Sequence, residues 1–109
     1  MAVTQKVLGQ SIPSATTLTD LYTVPGATQA TVSTLTVCNQ SATPTSFRVS
    51  VAQGGAADDP SQYLYYDVAI PANDTFAATF GITLNSGDVV RVYATLATLS
   101  FSLFGVETQ

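Results

Sequence analysis

Thr45-Ser-Phe-Arg-Val-Ser-Val-Ala52 alternates apolar and polar side chains for its whole length. Successive side chains of a strand point to opposite faces, so this stretch predicts Phe47, Val49 and Val51 facing a core and Ser46, Arg48 and Ser50 facing away. The same period-2 pattern continues in both directions, and no window keeps the i, i+3, i+4, i+7 spacing of an amphipathic helix for three turns. Upstream, Gln29–Asn39 changes phase between Ala30, Val32, Thr34 and Leu35, Val37, Asn39, which predicts a β-bulge near Thr34. A strand is predicted over 17–24, and Pro25-Gly26 after it predicts a type II turn with Gly26 at positive φ. Residues 3–10 read as the first strand, and residues 1–12 as an extended arm or edge strand.

Downstream, residues 53–61 form the one long loop, rich in Gly, Asp and Pro. Tyr63–Ile70, 75–80 with a bend at Gly81 before 82–84, 89–95 and 98–106 complete the set, separated by Pro71-Ala-Asn-Asp74 and Asn85-Ser-Gly-Asp88 turns. About eight short strands at eight-to-twelve-residue spacing without helix predict an all-β fold. The reading is one β-sandwich domain over 1–109, antiparallel, with jelly-roll or Greek-key topology. No internal repeat, linker or change of composition marks a second domain.

A domain of 109 residues buries roughly 65% of its unfolded surface, enough for one core. Charged residues are only 9% of the chain against about 25% ordinarily, so something else must cover the surface. Seventeen Thr and ten Ser do so, and Thr suits strands. Lys6, Arg48 and Arg91 are the only cations and cannot form the basic stripe that nucleic acids require. So weakly charged an exterior fits either a soluble protein with a Thr-rich skin or a surface that is largely interface. The first residues lack a signal-peptide pattern, and 92–106 is too short and too hydroxylated to span a membrane as a helix. Cys38 is the only cysteine, so no intrachain disulfide forms and the thiol is expected to be a small buried group.

Catalytic chemistry finds few candidates. Histidine is absent, which removes the commonest general base and any Ser-His or Cys-His pair. A single Cys without His cannot build a zinc shell. Asp58, Asp59, Asp74 and Asp88 lie in predicted turns, where Asp side chains cap their own backbone. The 54–61 loop offers too few acidic ligands for a calcium shell. No cofactor or metal is therefore expected.

Tyr63-Leu64-Tyr65-Tyr66 stands out among the remaining residues. Alternation would place Tyr63 and Tyr65 on one face and Leu64 and Tyr66 on the other, so one pair either leaves the core or packs on a second surface. Exposed tyrosines combine apolar area with a polar tip and suit protein interfaces, or sugars. Tyr63, Tyr65, Tyr66, Val3, Val7, Asp58 and Asp59 are the candidate interface residues.

Leu21-Tyr-Thr-Val-Pro-Gly26 with Ala30-Thr-Val-Ser-Thr-Leu-Thr-Val-Cys-Asn39, Tyr65-Tyr-Asp67 with Ile70-Pro-Ala-Asn-Asp-Thr75, and Gly81-Ile-Thr-Leu84 with Gly87-Asp-Val-Val-Arg-Val-Tyr-Ala94 carry a resemblance. Over 16–106 the chain resembles the small β-sandwich virion proteins of tailed bacteriophages, most of all the capsid decoration, or cement, proteins. The resemblance implies a non-enzymatic part of the virion, made in the bacterial cytoplasm and bound to the outer capsid surface. Its implied partners are the major capsid protein and further copies of itself, as a dimer or trimer. The alternative is a tail, neck or fibre module that recognises host-surface carbohydrate. No catalytic or contact residue transfers from the resemblance to a numbered position here.

Overall fold

The period-2 stretches become eight strands in the computed structural model, which describes residues 2–109. They are β1 (Val3–Ser11), β2 (Thr19–Thr23), β3 (Gln29–Asn39), β4 (Thr45–Ala52), β5 (Tyr63–Ile70), β6 (Thr75–Leu84), β7 (Val89–Ala94) and β8 (Leu99–Thr108). Antiparallel pairs join β1 to β8, β2 to β7, β3 to β6 and β4 to β5. These are the pairs of one long folded-back hairpin whose tip is the 53–62 loop. Rolling that hairpin brings β8 beside β3 and β7 beside β4. The products are two four-stranded sheets, β1-β8-β3-β6 and β2-β7-β4-β5. Of the two predicted topologies this is the jelly roll.

Between the sheets lie Phe47 and Val49 of β4, Val90 and Val92 of β7, Leu35 and Val37 of β3, and Leu99, Phe101 and Leu103 of β8, all without solvent exposure. Apolar area removed from water stabilises at about 25 cal/mol per Å², so these alternating positions supply the main driving force. Asn39 is buried among them and ties one end of the barrel-like stack together. Its Nδ2 donates to the carbonyls of Thr43 and Pro71, and its Oδ1 accepts from the Ser41 amide and the Thr98 hydroxyl. Three inter-strand loops thus share one side chain.

The predicted bulge of β3 lies at Ser33: Val32 pairs with Gly105 and Thr34 with Phe104, so Ser33 and Thr34 both turn outward. β6 does not stop at Gly81. That residue takes φ 64° and, with Phe80, stands opposite Ser33, which absorbs the bend as a bulge within one strand. The turn after β2 differs from expectation, because Ala27 at φ 56° carries the left-handed conformation and Gly26 does not. Anchors on both sides explain the shift. Val24 exchanges backbone hydrogen bonds with Gly87 and Asp88, and the Ser86 hydroxyl accepts from the amide of buried Thr28 and donates to its carbonyl. Cys38 also departs from the buried reading: it pairs with Thr75 and Ser100 on the outer face of its sheet and is only half-buried. Ser50 faces outward as predicted, yet it is fully buried, since Tyr63 and Arg91 flank it in register and the 53–62 loop lies over them.

One polar contact crosses between the sheets. The Tyr22 hydroxyl donates to Glu107 Oε2 at 2.5 Å, and Lys6 Nζ donates to Oε1 at 3.4 Å. Burial first, and then the bond to Glu107 and its charge, hold the Tyr22 phenol protonated well above its ordinary range. A phenol favoured in its neutral form by folding contributes stability below the unfolded pKa of about 10 and loses it as pH rises further. Tyr22→Phe is expected to cost about 1.5–3 kcal/mol at pH 7, the worth of a hydrogen bond to a charged group. Its melting temperature should also fall less steeply than that of the wild type between pH 9 and 11. A wild-type profile flat across that range would contradict the assignment.

Candidate functional site

β5 is an edge strand, paired only with β4. Its register slips twice, with Phe47 opposite Val68, Val49 opposite Tyr65 and Ser50 opposite Tyr63. Two residues, Tyr66 and Asp67, therefore stand opposite Arg48, with Asp67 at φ 53°. This bulge re-aims both side chains at the guanidinium. Arg48 Nε donates to Asp67 Oδ1 at 2.7 Å and Nη2 to Oδ2 at 3.3 Å, a forked pair that raises the guanidinium pKa further. The same guanidinium lies 4.1 Å from the ring centroid of Tyr66 and 4.4 Å from that of Tyr93. An exposed ion pair adds little stability, but one flanked by two rings fixes a charge in place.

Tyr63 meets Tyr66 edge-on, with ring centroids 5.2 Å apart, and its hydroxyl donates to Asp58 Oδ1 at 2.8 Å. Burial, followed by the bond to Asp58, pushes the Tyr63 phenol upward. Arg48, Asp58, Pro60, Tyr63 and Tyr66 line a cleft of about 480 Å³ on the outer face of the second sheet. That volume lies within the usual range of small-ligand sites. The loop that forms one wall is held from below. Arg91 Nη1 and Nη2 donate to the carbonyls of Ala56 and Gly55, its Nε donates to Asp20, and the Gly54 amide donates to Asp88 Oδ1.

No family model, curated protein or solved structure matches this chain.

Of the sequence-predicted residues, Tyr63, Tyr66 and Asp58 meet in the cleft. The expected face-sharing of Tyr63 with Tyr65 is corrected, because the bulge puts Tyr63 and Tyr66 together outside. Tyr65 turns inward instead and packs on Phe76 and Phe80, with centroids at 5.3 and 5.7 Å. Asp59 stays outside the cleft wall and caps the turn Pro60–Gln62, accepting from the Ser61 amide and hydroxyl. Those bonds, the amide's first, hold its carboxyl below the ordinary range. Asp58 is not a turn cap, contrary to expectation, since Tyr63 takes its carboxylate. Among the described residues no three acidic or Cys side chains converge on a metal-sized site. Tyr93 and Asp67 were not foreseen. Arg48, a lone cation on an outward position of the clearest strand, was the available signal for partners there.

Val3 and Val7 belong to the other sheet. They lie on edge strand β1, 62% and 47% exposed, opposite Thr108 and Phe104. With Phe104 and Val106 they form an apolar end to the outer face of β1-β8-β3-β6. The rest of that face is hydroxyl-rich: Thr31 lies beside Thr83, Thr34 beside Thr79, and Thr36 beside Ser102. Among the described residues, register places no charged side chain on it. Lys6 and Glu107, the two charged residues of these strands, lie in the opposite phase, and every other charge belongs to the second sheet or to loops.

Proposed function

We propose that this chain is a non-enzymatic structural protein, a capsid decoration or cement protein, that docks on the outer surface of a phage head through the β1-β8-β3-β6 face. The observation that carries the reading is the absence of charge from that face in a chain whose other sheet holds Asp20, Arg48, Asp67 and Arg91. Depletion of charge is the compositional mark of an interface core, and hydroxyls satisfy polar partners at small desolvation cost. Strand rise and spacing give the face roughly 35 by 19 Å, close to the area of about 800 Å² that each partner contributes to a stable interface. β1 offers a second element of assembly. Residues 3–7 are exposed and their outer edge has no strand beside it, which supports pairing with a further copy in a dimer or trimer. The resemblance supplies the capsid as the partner.

Thr36→Lys places an ammonium in the middle of this face without touching the core. It is expected to leave the melting temperature within a few degrees and to reduce co-sedimentation with empty phage heads at least tenfold. Gln53→Lys, on the loop at the hairpin tip, is expected to bind as the wild type does. Undiminished binding of Thr36→Lys, or no binding of the wild type, would sink the proposal.

A further inference from the structure

We infer that the cleft between Arg48, Asp58, Pro60, Tyr63 and Tyr66 is a binding site for a small neutral saccharide, independent of the docking face. The two sites occupy opposite outer surfaces of the sandwich, so a protein docked through β1-β8-β3-β6 still presents the cleft. Its chemistry is specific. Tyr66 is 59% exposed even with the guanidinium 4.1 Å from its ring centroid, which leaves apolar ring surface for the C–H face of a sugar. Arg48 spends Nε and Nη2 on Asp67 and keeps Nη1 as a donor. Asp58 spends Oδ1 on Tyr63 and keeps Oδ2 as an acceptor. A donor and an anionic acceptor at the rim of an aromatic floor match neighbouring sugar hydroxyls, one accepting and one donating. Both groups are pre-ordered by existing bonds, which lowers the entropy cost of binding.

Charge selects the class of saccharide. The guanidinium is balanced by Asp67, so Asp58 leaves the cleft with a net negative charge. The nearest other cation, Arg91, is already engaged by Asp20 and two loop carbonyls. Uronic, sialic, sulfated and phosphorylated sugars would meet repulsion without a free counter-charge.

The test is amide NMR of the full chain titrated with cellotriose, chitotriose, maltotriose and N-acetyllactosamine, with trigalacturonate as the anionic counterpart. At least one neutral saccharide is expected to shift resonances over 58–67 and at Arg48 while leaving the outer face of β3 unmoved. Tyr66→Ala and Asp58→Asn are each expected to weaken that binding at least tenfold with an unchanged fold by the same spectra. Three outcomes would overturn the inference: no response to any neutral saccharide, binding by either variant as tight as that of the wild type, or tighter binding of trigalacturonate. Because none of these measurements involves phage heads, they stand or fall apart from the docking proposal.

Discussion

Gly105→Ala is expected to lower the melting temperature by roughly 15 °C, the equivalent of about 3 kcal/mol in a domain of this size. Gly105 sits in β8 between Lys6 of β1 and Val32 of β3; Ser33 bulges from β3 directly after that pair, and Leu8 bulges from β1 one pair further on. The β3 backbone and, from β1, the Leu8 side chain lie against the glycine. A methyl group there would collide with the carbonyl oxygen of Thr31 and come within 3.0 Å of Leu8 Cδ1 and the Val32 Cα. A flexible side chain could rotate away, but a ladder carbonyl cannot move without breaking its strand. Overpacking of an adaptable core costs about 1–3 kcal/mol, and rigid backbone puts this site at the upper end. Gly26→Ala is the matched control, with no atom within 4 Å of its new methyl and no positive φ. It should be neutral or stabilise by up to about 1 kcal/mol through the unfolded chain. Thermal melts of the two variants that coincide would refute the double-bulge geometry.

This glycine also shows where the sequence was legible and where it was not. Strand positions followed from the period-2 pattern, because each sheet has a buried face and the hydrophobic effect enforces alternation there. The β3 bulge was visible for the same reason, as a phase change between Val32 and Leu35 on a strand covered by neighbours on both edges. β5 gave no such warning. As an edge strand it can slip its register at Leu64 and again at Tyr66-Asp67 without misplacing a buried residue, so alternation put Tyr63 beside Tyr65. The cleft exists because of that slip. Its remaining members come from positions 48, 58 and 60, and only the pairing of β4 with β5 sets Arg48 beside Tyr66, as its pairing with β7 sets Tyr93 beside the same guanidinium. Similarly, the uncharged outer face could be suspected from a charge content of 9%, but its concentration on one sheet is a product of rolling the hairpin.

Phe47→Ala is expected to cost about 4 kcal/mol, roughly a quarter to four-fifths of the total for a domain whose net stability lies between about 5 and 15 kcal/mol. Phe47 has no solvent exposure and its ring reaches Phe76 at 5.2 Å, Phe101 at 6.1 Å and Tyr65 at 6.3 Å. One side chain from the second sheet thus touches β6 and β8 of the first and the strand that carries the cleft. Alanine would leave a cavity bounded by three other rings, themselves held by neighbours, so the site cannot collapse and the cavity term is kept in full. Tyr66→Ala, on the outer side of the same pair of strands, removes an exposed ring and its contacts with Arg48 and Tyr63, about 1–2 kcal/mol together. Urea unfolding should show the midpoint of Phe47→Ala far below that of Tyr66→Ala at an unchanged slope. Comparable midpoints would mean that the aromatic cluster does not join the sheets as the ring distances indicate. With the expected separation, loss of ligand response in Tyr66→Ala belongs to the cleft itself, since the fold that positions it rests on Phe47.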